Sequence, residues 1–249
     1  MLSRREFIGT SGVLLAGASV PAWADAFQPS TSGDALRAEV ADAALARAAQ
    51  LGSSYADIRI NRYRRESIAS REQQVQNVSR SMSYGFGLRV LVNGAWGFAA
   101  SNVVDAASAR TAAEQAVAIA KANAMLATRK VVLADADKVV TTWTSTFKKD
   151  PFELPLETKI AFLLGLNKTA QVPGVAFVTS QVLFADEQKY FASSEGSRIT
   201  QRLIRTYPQF QTTATDRASG DFRCAVRRHQ NYGAGRGQAP HVLQQRQIV

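Results

Sequence analysis

Histidine and cysteine are almost missing from this chain. Its 249 residues hold two His and one Cys, and Cys224, His229 and His241 all fall within the last 26 positions. Residues 1–223 therefore cannot build a His/Cys metal site or a nucleophile activated by histidine. A single cysteine excludes an internal disulfide framework and any Cys-x-x-Cys redox or zinc-ribbon element. Long apolar runs are scarce too. Ile8 to Val20 is 13 residues, well short of the roughly 20 that a spanning helix needs, so no stable membrane insertion is expected. What is present suits a globular protein of one or two domains with a proper core, since 46% of residues are hydrophobic and 20% charged.

The N-terminus reads as an address. Arg4 and Arg5 precede the weakly hydrophobic run, and Ala22 and Ala24 supply small side chains at the two positions a signal peptidase reads. Paired arginines before such a run are the twin-arginine export signature. The expectation is a Tat signal peptide over residues 1–24, cleavage before Asp25 and a periplasmic, exported protein.

Beyond it the order helix-then-antiparallel-strands occurs twice. Asp34–Leu51 places Leu36, Val40, Ala44, Ala48 and Leu51 at helical spacing, with Gly52 as a C-cap. Strand patterns follow at Tyr55–Tyr63, Ser67–Ser70, Val75–Ser83, Leu88–Val92 and Ala95–Ala100. The last two flank Asn93-Gly94, a strong hairpin signal. A second helix over Asp105–Asn123 carries a small-residue stripe of Ala106, Ala109, Ala113, Val117 and Ala120. Residues 124–154 read as a linker. Pro155 then starts a helix with Leu156, Ile160, Leu163 and Leu164 on its buried face, and Pro173-Gly174 stops it. Strands at Val175–Ala185, Gln188–Ala192, Ile199–Thr206 and Gln209–Thr215 complete the second unit. The fold class is α+β: two helix-plus-antiparallel-sheet units, not a βαβ nucleotide fold.

Candidate chemistry is sparse. Tyr84-Gly85-Phe86-Gly87-Leu88 has a Gly-x-Gly but no third glycine and no following helix to hold a phosphate, so glycines for close strand approach are the better account. Arg59, Arg62, Arg64, Arg65, Arg71 and Arg80 cluster on the first strands. They read as a solvated sheet face partly neutralised by Asp57, Glu66 and Glu72 rather than as a site for an anionic partner. Trp96, Phe98 and Phe86 read as core. Asp135/Asp137 and Asp186/Glu187 are spaced like surface loop acids, and no carboxylate pair stands out for acid–base work. Nothing resembles a zinc helix of the His-Glu-x-x-His kind, and Cys224, His229 and His241 make at most an adventitious metal site.

Three stretches resemble the TldD/PmbA family of metallopeptidases. Tyr55-Ala56-Asp57-Ile58-Arg59 and, further on, Gly85-Phe86-Gly87-Leu88-Arg89-Val90 with Gly94, Gly97, Phe98 and Ala99 are similar to the family's GxGxRVxxxGxxGFA hairpin. Asp150-Pro151-Phe152 resembles the entry to its second domain. Ser193-Ser194-Glu195-Gly196-Ser197 and Thr213-Ala214-Thr215-Asp216-Arg217 resemble its central strands. The resemblance implies an N-terminal α+β domain over 34–123, the linker 124–154 and part of a central domain over 155–222. It also implies proteolysis of peptides or unfolded chains by complete members, zinc on a C-terminal His-Glu-x-x-x-His helix, and a TldD/PmbA-type partner subunit.

No position matches that metal motif, so no catalytic, cofactor-binding or metal residue is carried over and no cofactor is expected in this chain. The resemblance ends after Phe222. Residues 223–249 hold five Arg, five Gln and two His but no Asp, Glu, Ser, Thr or Lys, a basic low-complexity tail that reads as frameshifted. The expectation is an exported metallopeptidase-family protein that is truncated before its metal-binding part and inactive alone. The alternative is a non-catalytic binding subunit of a TldD-type complex, joined by strand addition at a sheet edge. Binding to nucleic acid rests on charge alone, and the charge is terminal. Of the net +10, one unit comes from Arg4, Arg5 and Glu6 and five come from the arginines beyond residue 222, leaving four for the body. No nucleic-acid partner is expected.

Overall fold

The computed structural model describes residues 31–215, 222–228 and 231–232. The twin-arginine pair Arg4 and Arg5, the cleavage residues Ala22 and Ala24, and His229 and His241 lie outside the described residues. In chain order the elements are α1 (Thr31–Gln50), β1 (Tyr55–Arg71), β2 (Gln74–Val92), β3 (Ala95–Ser101), α2 (Ala106–Leu126), β4 (Val140–Thr144), α3 (Leu156–Ala170), β5 (Val175–Ser193), β6 (Arg198–Thr215), β7 (Phe222–Arg228) and β8 (Asn231–Tyr232).

The α+β class holds, and the two helix-plus-antiparallel-sheet units share one sheet of order β3-β2-β1-β5-β6-β4. They join where β1 pairs antiparallel with β5 from Asp57↔Ser193 to Arg71↔Thr179. The outer edge of β6 is paired in succession by β4, β8 and β7. Among the described strands, only β4 runs parallel to its neighbour. Helices α1 and α2 cover one end of one face and α3 the other end of that same face. The first cluster joins Val40, Ala44 and Ala48 to Ile58, Ile60, Leu88, Val90, Ala113, Ala116 and Ala120. The second joins Ile68, Val182 and Phe184 to Leu163.

Local signals place these elements. Asp105 caps α2 by accepting from the Ser108 N–H at 2.7 Å. Asn93 and Gly94 both have positive φ, 51° and 81°, as a two-residue hairpin requires. The alanine stripe of α2 lets the helix settle directly onto β3. A Cβ on Gly97 would lie 1.9 Å from the Ala116 carbonyl oxygen. Glycine for close approach is thus confirmed at this hairpin, and again at Gly85, where a Cβ would meet the Ser101 carbonyl oxygen at 2.7 Å.

The strands are longer than the sequence pattern suggests. Tyr55–Tyr63 and Ser67–Ser70 merge into a strand of 17 residues, and Val75–Ser83 and Leu88–Val92 into one of 19. Val175–Ala185 with Gln188–Ala192, and Ile199–Thr206 with Gln209–Thr215, merge likewise. The apparent breaks are charged, glycine-bearing or proline-bearing segments that the sheet accommodates. Arg64 and Glu66 find partners across strands. Pro208 sits between the stretches of β6 paired with β8 and β7, where its outer edge needs no donor. The stretch 124–154, expected as a plain linker, contains β4. Helix α3 begins after Pro155, which is its N-cap rather than its first residue. The α3 face buries Lys159 and Asn167 beside Leu163, while Ile160 and Leu164 are half-buried. The tail beyond residue 222 also differs in part, because the backbone of Arg223–Arg228 pairs with β6.

A Gly97→Ala variant should lose about 3 kcal/mol or more, since the added carbon must displace helix backbone rather than a flexible side chain. Urea unfolding measures this; a loss under about 1 kcal/mol would contradict the close packing of α2.

Candidate functional site

Strand alternation divides the chemistry of β1 between two faces. Arg62, Arg64 and Glu66 lie on the helix-bearing face, and Asp57, Arg59, Asn61, Tyr63 and Arg65 on the open one. The arginine cluster is therefore not a single solvated face. Its acids are not surface charges either, for Asp57 is 1% exposed and Glu66 3%. Asp186 and Glu187, expected as loop acids, lie mid-strand in β5 and are likewise buried. Spacing along the chain misled here because adjacent residues of a strand point to opposite faces, each into its own set of cations. Asp135 and Asp137 are exposed, as expected.

Each buried carboxylate is neutralised across strands. Arg89 of β2 grips Asp57 of β1 with bonds of 3.0 and 3.2 Å from Nε and 2.5 Å from Nη2. Asp186 accepts from Arg64 at 3.2 Å and from Arg202 at 3.1 Å, and Arg202 also reaches Asp150 at 2.7 Å. Arg64 stacks 4.0 Å above the Phe152 ring centre. On the open face, Glu187 accepts from the Tyr63 hydroxyl and from Arg205, and pairs with Lys189, each at 2.7 Å. Below α3, Glu66 accepts from Lys159 at 2.5 Å and from Arg80 at 2.6 Å. These contacts tie β1 to β2, β5, β6 and α3, the junction of the two units.

The titration of these groups follows from burial set against partners. Burial pushes the Glu66 carboxyl up, but hydrogen bonds from Lys159 and Arg80 outweigh it and hold the group below its ordinary value. Glu187 is held down in the same way, burial being outweighed by Lys189, Tyr63 and Arg205. Burial, then the bond to Glu187, pushes the Tyr63 phenol up to about 12, so it stays a neutral donor.

Two concavities flank this network. Between α3 and strands β5 and β6 lies an apolar groove of about 490 Å³ walled by Phe162, Leu163, Leu166, Val182, Phe184 and Phe210. On the open face, a cavity of about 530 Å³ lies over Gly85 and Gly87, with Asp57, Arg59, Asn61 and Arg89 below and Phe98 beside it. Phe98, expected in the core, is 57% exposed because it points to this uncovered face. Phe86 is buried, and Trp96 is half-buried edge-on to Tyr55 at 5.9 Å.

Zinc does not fit the described residues. No three His, Cys, Asp or Glu among them converge on a point where a metal would sit, and each buried carboxylate of the network is already matched to Arg or Lys. Among the described residues, no helix is long and apolar enough to cross a membrane.

The same hairpin and helix carry the likeness to known proteins. Residues 56–120, from β1 through most of α2, match the family profile of the PmbA/TldA metallopeptidase domain 1. Curated relatives include a metalloprotease of Methanocaldococcus jannaschii, 23% identical over 72% of this chain and 39% of its own length. Another is a metalloprotease of Methanothermobacter thermautotrophicus, 28% identical over 68% of this chain and 36% of its own. A candidate modulator of DNA gyrase from Bacteroides thetaiotaomicron superposes with a TM-score of 0.61 at 14% identity, covering 78% of this chain and 45% of that one. TldE from Thermococcus kodakarensis superposes with a TM-score of 0.52 at 17% identity, covering 74% and 42%; these two likenesses speak for the fold alone. Residues 56–120 carry the first domain of the PmbA/TldA metallopeptidase family, and the chain spans less than two-fifths of the length of the curated relatives it matches.

Replacing Lys159 by Met should cost about 3 kcal/mol, because Glu66 is then left buried with Arg80 alone. The double change with Glu66→Gln should recover most of that in urea unfolding. Since Glu66 and Glu187 titrate below their ordinary 4.5, their contribution to stability is present above about pH 4.5. It is lost as pH falls through the lower folded values. The melting temperature should therefore hold steady from neutrality to about pH 5 and fall below it, with a shallower fall in the double variant.

Proposed function

We propose that this chain supplies the substrate-holding framework of a TldD/PmbA-type metallopeptidase acting on peptides or unfolded chains. The observation that carries the reading is the match of residues 56–120 to the first domain of that family, together with curated relatives that are named metalloproteases. The 249 residues contain no His-Glu-x-x-x-His, so in this reading the zinc comes from protein outside them and the framework alone is inactive. Its buried carboxylates serve the sheet junction rather than a reacting water. Arg4 and Arg5 direct the folded protein through the Tat route to the periplasm, with Ala22 and Ala24 marking the cleavage site.

A second reading is a non-catalytic subunit paired with a metal-bearing TldD-type partner. The likeness in fold to TldE favours it.

The purified chain should leave an unfolded, fluorescently quenched protein substrate uncut with or without added zinc. Cleavage abolished by a chelator would refute the framework reading. Co-purification with a metal-bearing relative from the source cells would select the second reading, and restored cleavage in that complex would establish it. Export should fail in the Arg4→Lys, Arg5→Lys double variant, seen as loss of a tagged protein from the periplasmic fraction; unchanged export would overturn the assignment.

A further inference from the structure

Arg59 is held more loosely than the other ion-paired arginines of the junction. Its closest carboxylate is Asp57 at 3.9 Å from Nε, and its side chain is 43% exposed. Asp57 is meanwhile held by three bonds from Arg89. Asp57, Arg59 and Arg89 are the charged residues that line the open-face cavity, one acid shared by two bases, so its lining carries a net positive charge. The guanidinium centre of Arg59 sits 5.7 Å from the Phe191 ring centre, a contact that orients it without neutralising it.

Two further features of the same cavity point to a ligand. Asn61 lies two residues on and on the same face, about 7 Å along the strand. Its Oδ1 is buried and has no hydrogen-bond partner among the described residues. A buried acceptor left without a donor costs about 1–3 kcal/mol, which an incoming N–H would recover. Phe98 offers a largely exposed ring, held against Gly87, where a Cβ would meet it at 3.0 Å. One loosely paired cation, one vacant acceptor and one exposed ring thus lie around about 530 Å³, room for a single amino-acid residue and the start of the next.

We propose that this cavity binds the carboxyl-terminal residue of a peptide. The terminal carboxylate pairs with Arg59, the last backbone N–H donates to Asn61 Oδ1, and an apolar terminal side chain lies on Phe98. An amine terminus fits badly, because the only acid in the cavity is committed to Arg89. A phosphate would satisfy Arg59 but leave both Asn61 and the Phe98 ring unused. The inference deepens the framework reading and rests on it: it names which part of a substrate or product this face retains.

The test uses the purified full chain and an N-terminally fluorescein-labelled decapeptide ending in Phe and lacking Asp and Glu. Its free-acid and C-terminally amidated forms are compared by fluorescence anisotropy. The free acid should bind about tenfold more tightly than the amide, the difference expected of one charge-assisted contact. Arg59→Gln should reduce that ratio to about twofold or less, and Phe98→Ala should weaken both forms. Equal binding of acid and amide, or a ratio unchanged in Arg59→Gln, would overturn the carboxylate assignment while leaving the framework reading intact. A third peptide, amidated but with an internal Glu, should bind like the plain amide. Binding like the free acid would replace the chain end by an acidic side chain and so overturn the proposal. Absence of binding by every form would overturn the framework reading as well.

Discussion

The pairing of β1 with β5, from Asp57↔Ser193 to Arg71↔Thr179, makes one sheet of what would otherwise be two small helix-and-hairpin units. Separately, each unit would bury little and expose a long strand edge. Joined, the four long strands support α1 and α2 at one end and α3 at the other, on a single face. The opposite face is left uncovered by helix among the described residues. That asymmetry places every feature of functional interest: a carboxylate network along the junction and a polar cavity over the glycines of the β2–β3 hairpin.

The junction is costly in electrostatic terms. Carrying Asp57, Glu66, Asp186 and Glu187 into a sheet interior has to be offset by cations with good geometry, and each acid has at least two hydrogen bonds or ion pairs to do so. A buried ion pair seldom exceeds an apolar pair in stability. What it supplies here is register. Slipping β1 by one residue against β5 would carry Arg64 and Tyr63 to the wrong faces and strand Asp186 and Glu187 without partners. Strands of 17 to 19 residues with polar centres need such a device, because hydrophobic alternation alone specifies their ends better than their middles.

The same arithmetic singles out Arg59, which shares Asp57 with Arg89. Where acid and base are matched, a charged side chain is structural; where one base is left over beside an unused acceptor, it is available to a ligand. The glycines of the hairpin serve both sides of this distinction. Gly97 brings α2 onto β3, and Gly85 and Gly87 leave space over β2 that side chains would fill.

Signals contained within a few residues suffice for helices α1 and α2, the Asn93-Gly94 turn and the glycines needed for close approach. The run from Gly85 to Ala99 likewise carries the resemblance to the first TldD/PmbA domain, and a His-Glu-x-x-x-His motif is absent from these 249 residues. The tertiary structure decided the rest. Continuous strands were illegible across Arg64–Glu66 and Asp186–Glu187, because a charged pair reads as a loop until its partners from other strands are seen. The parallel strand β4 was hidden in a polar stretch, since its place comes from pairing with β6 rather than from its own pattern. Phe98 read as core because hydrophobicity cannot say which face of a sheet is covered. Arg59 was one of six similar arginines in the sequence. Only pairing across strands shows that its one carboxylate, Asp57, is already gripped by Arg89.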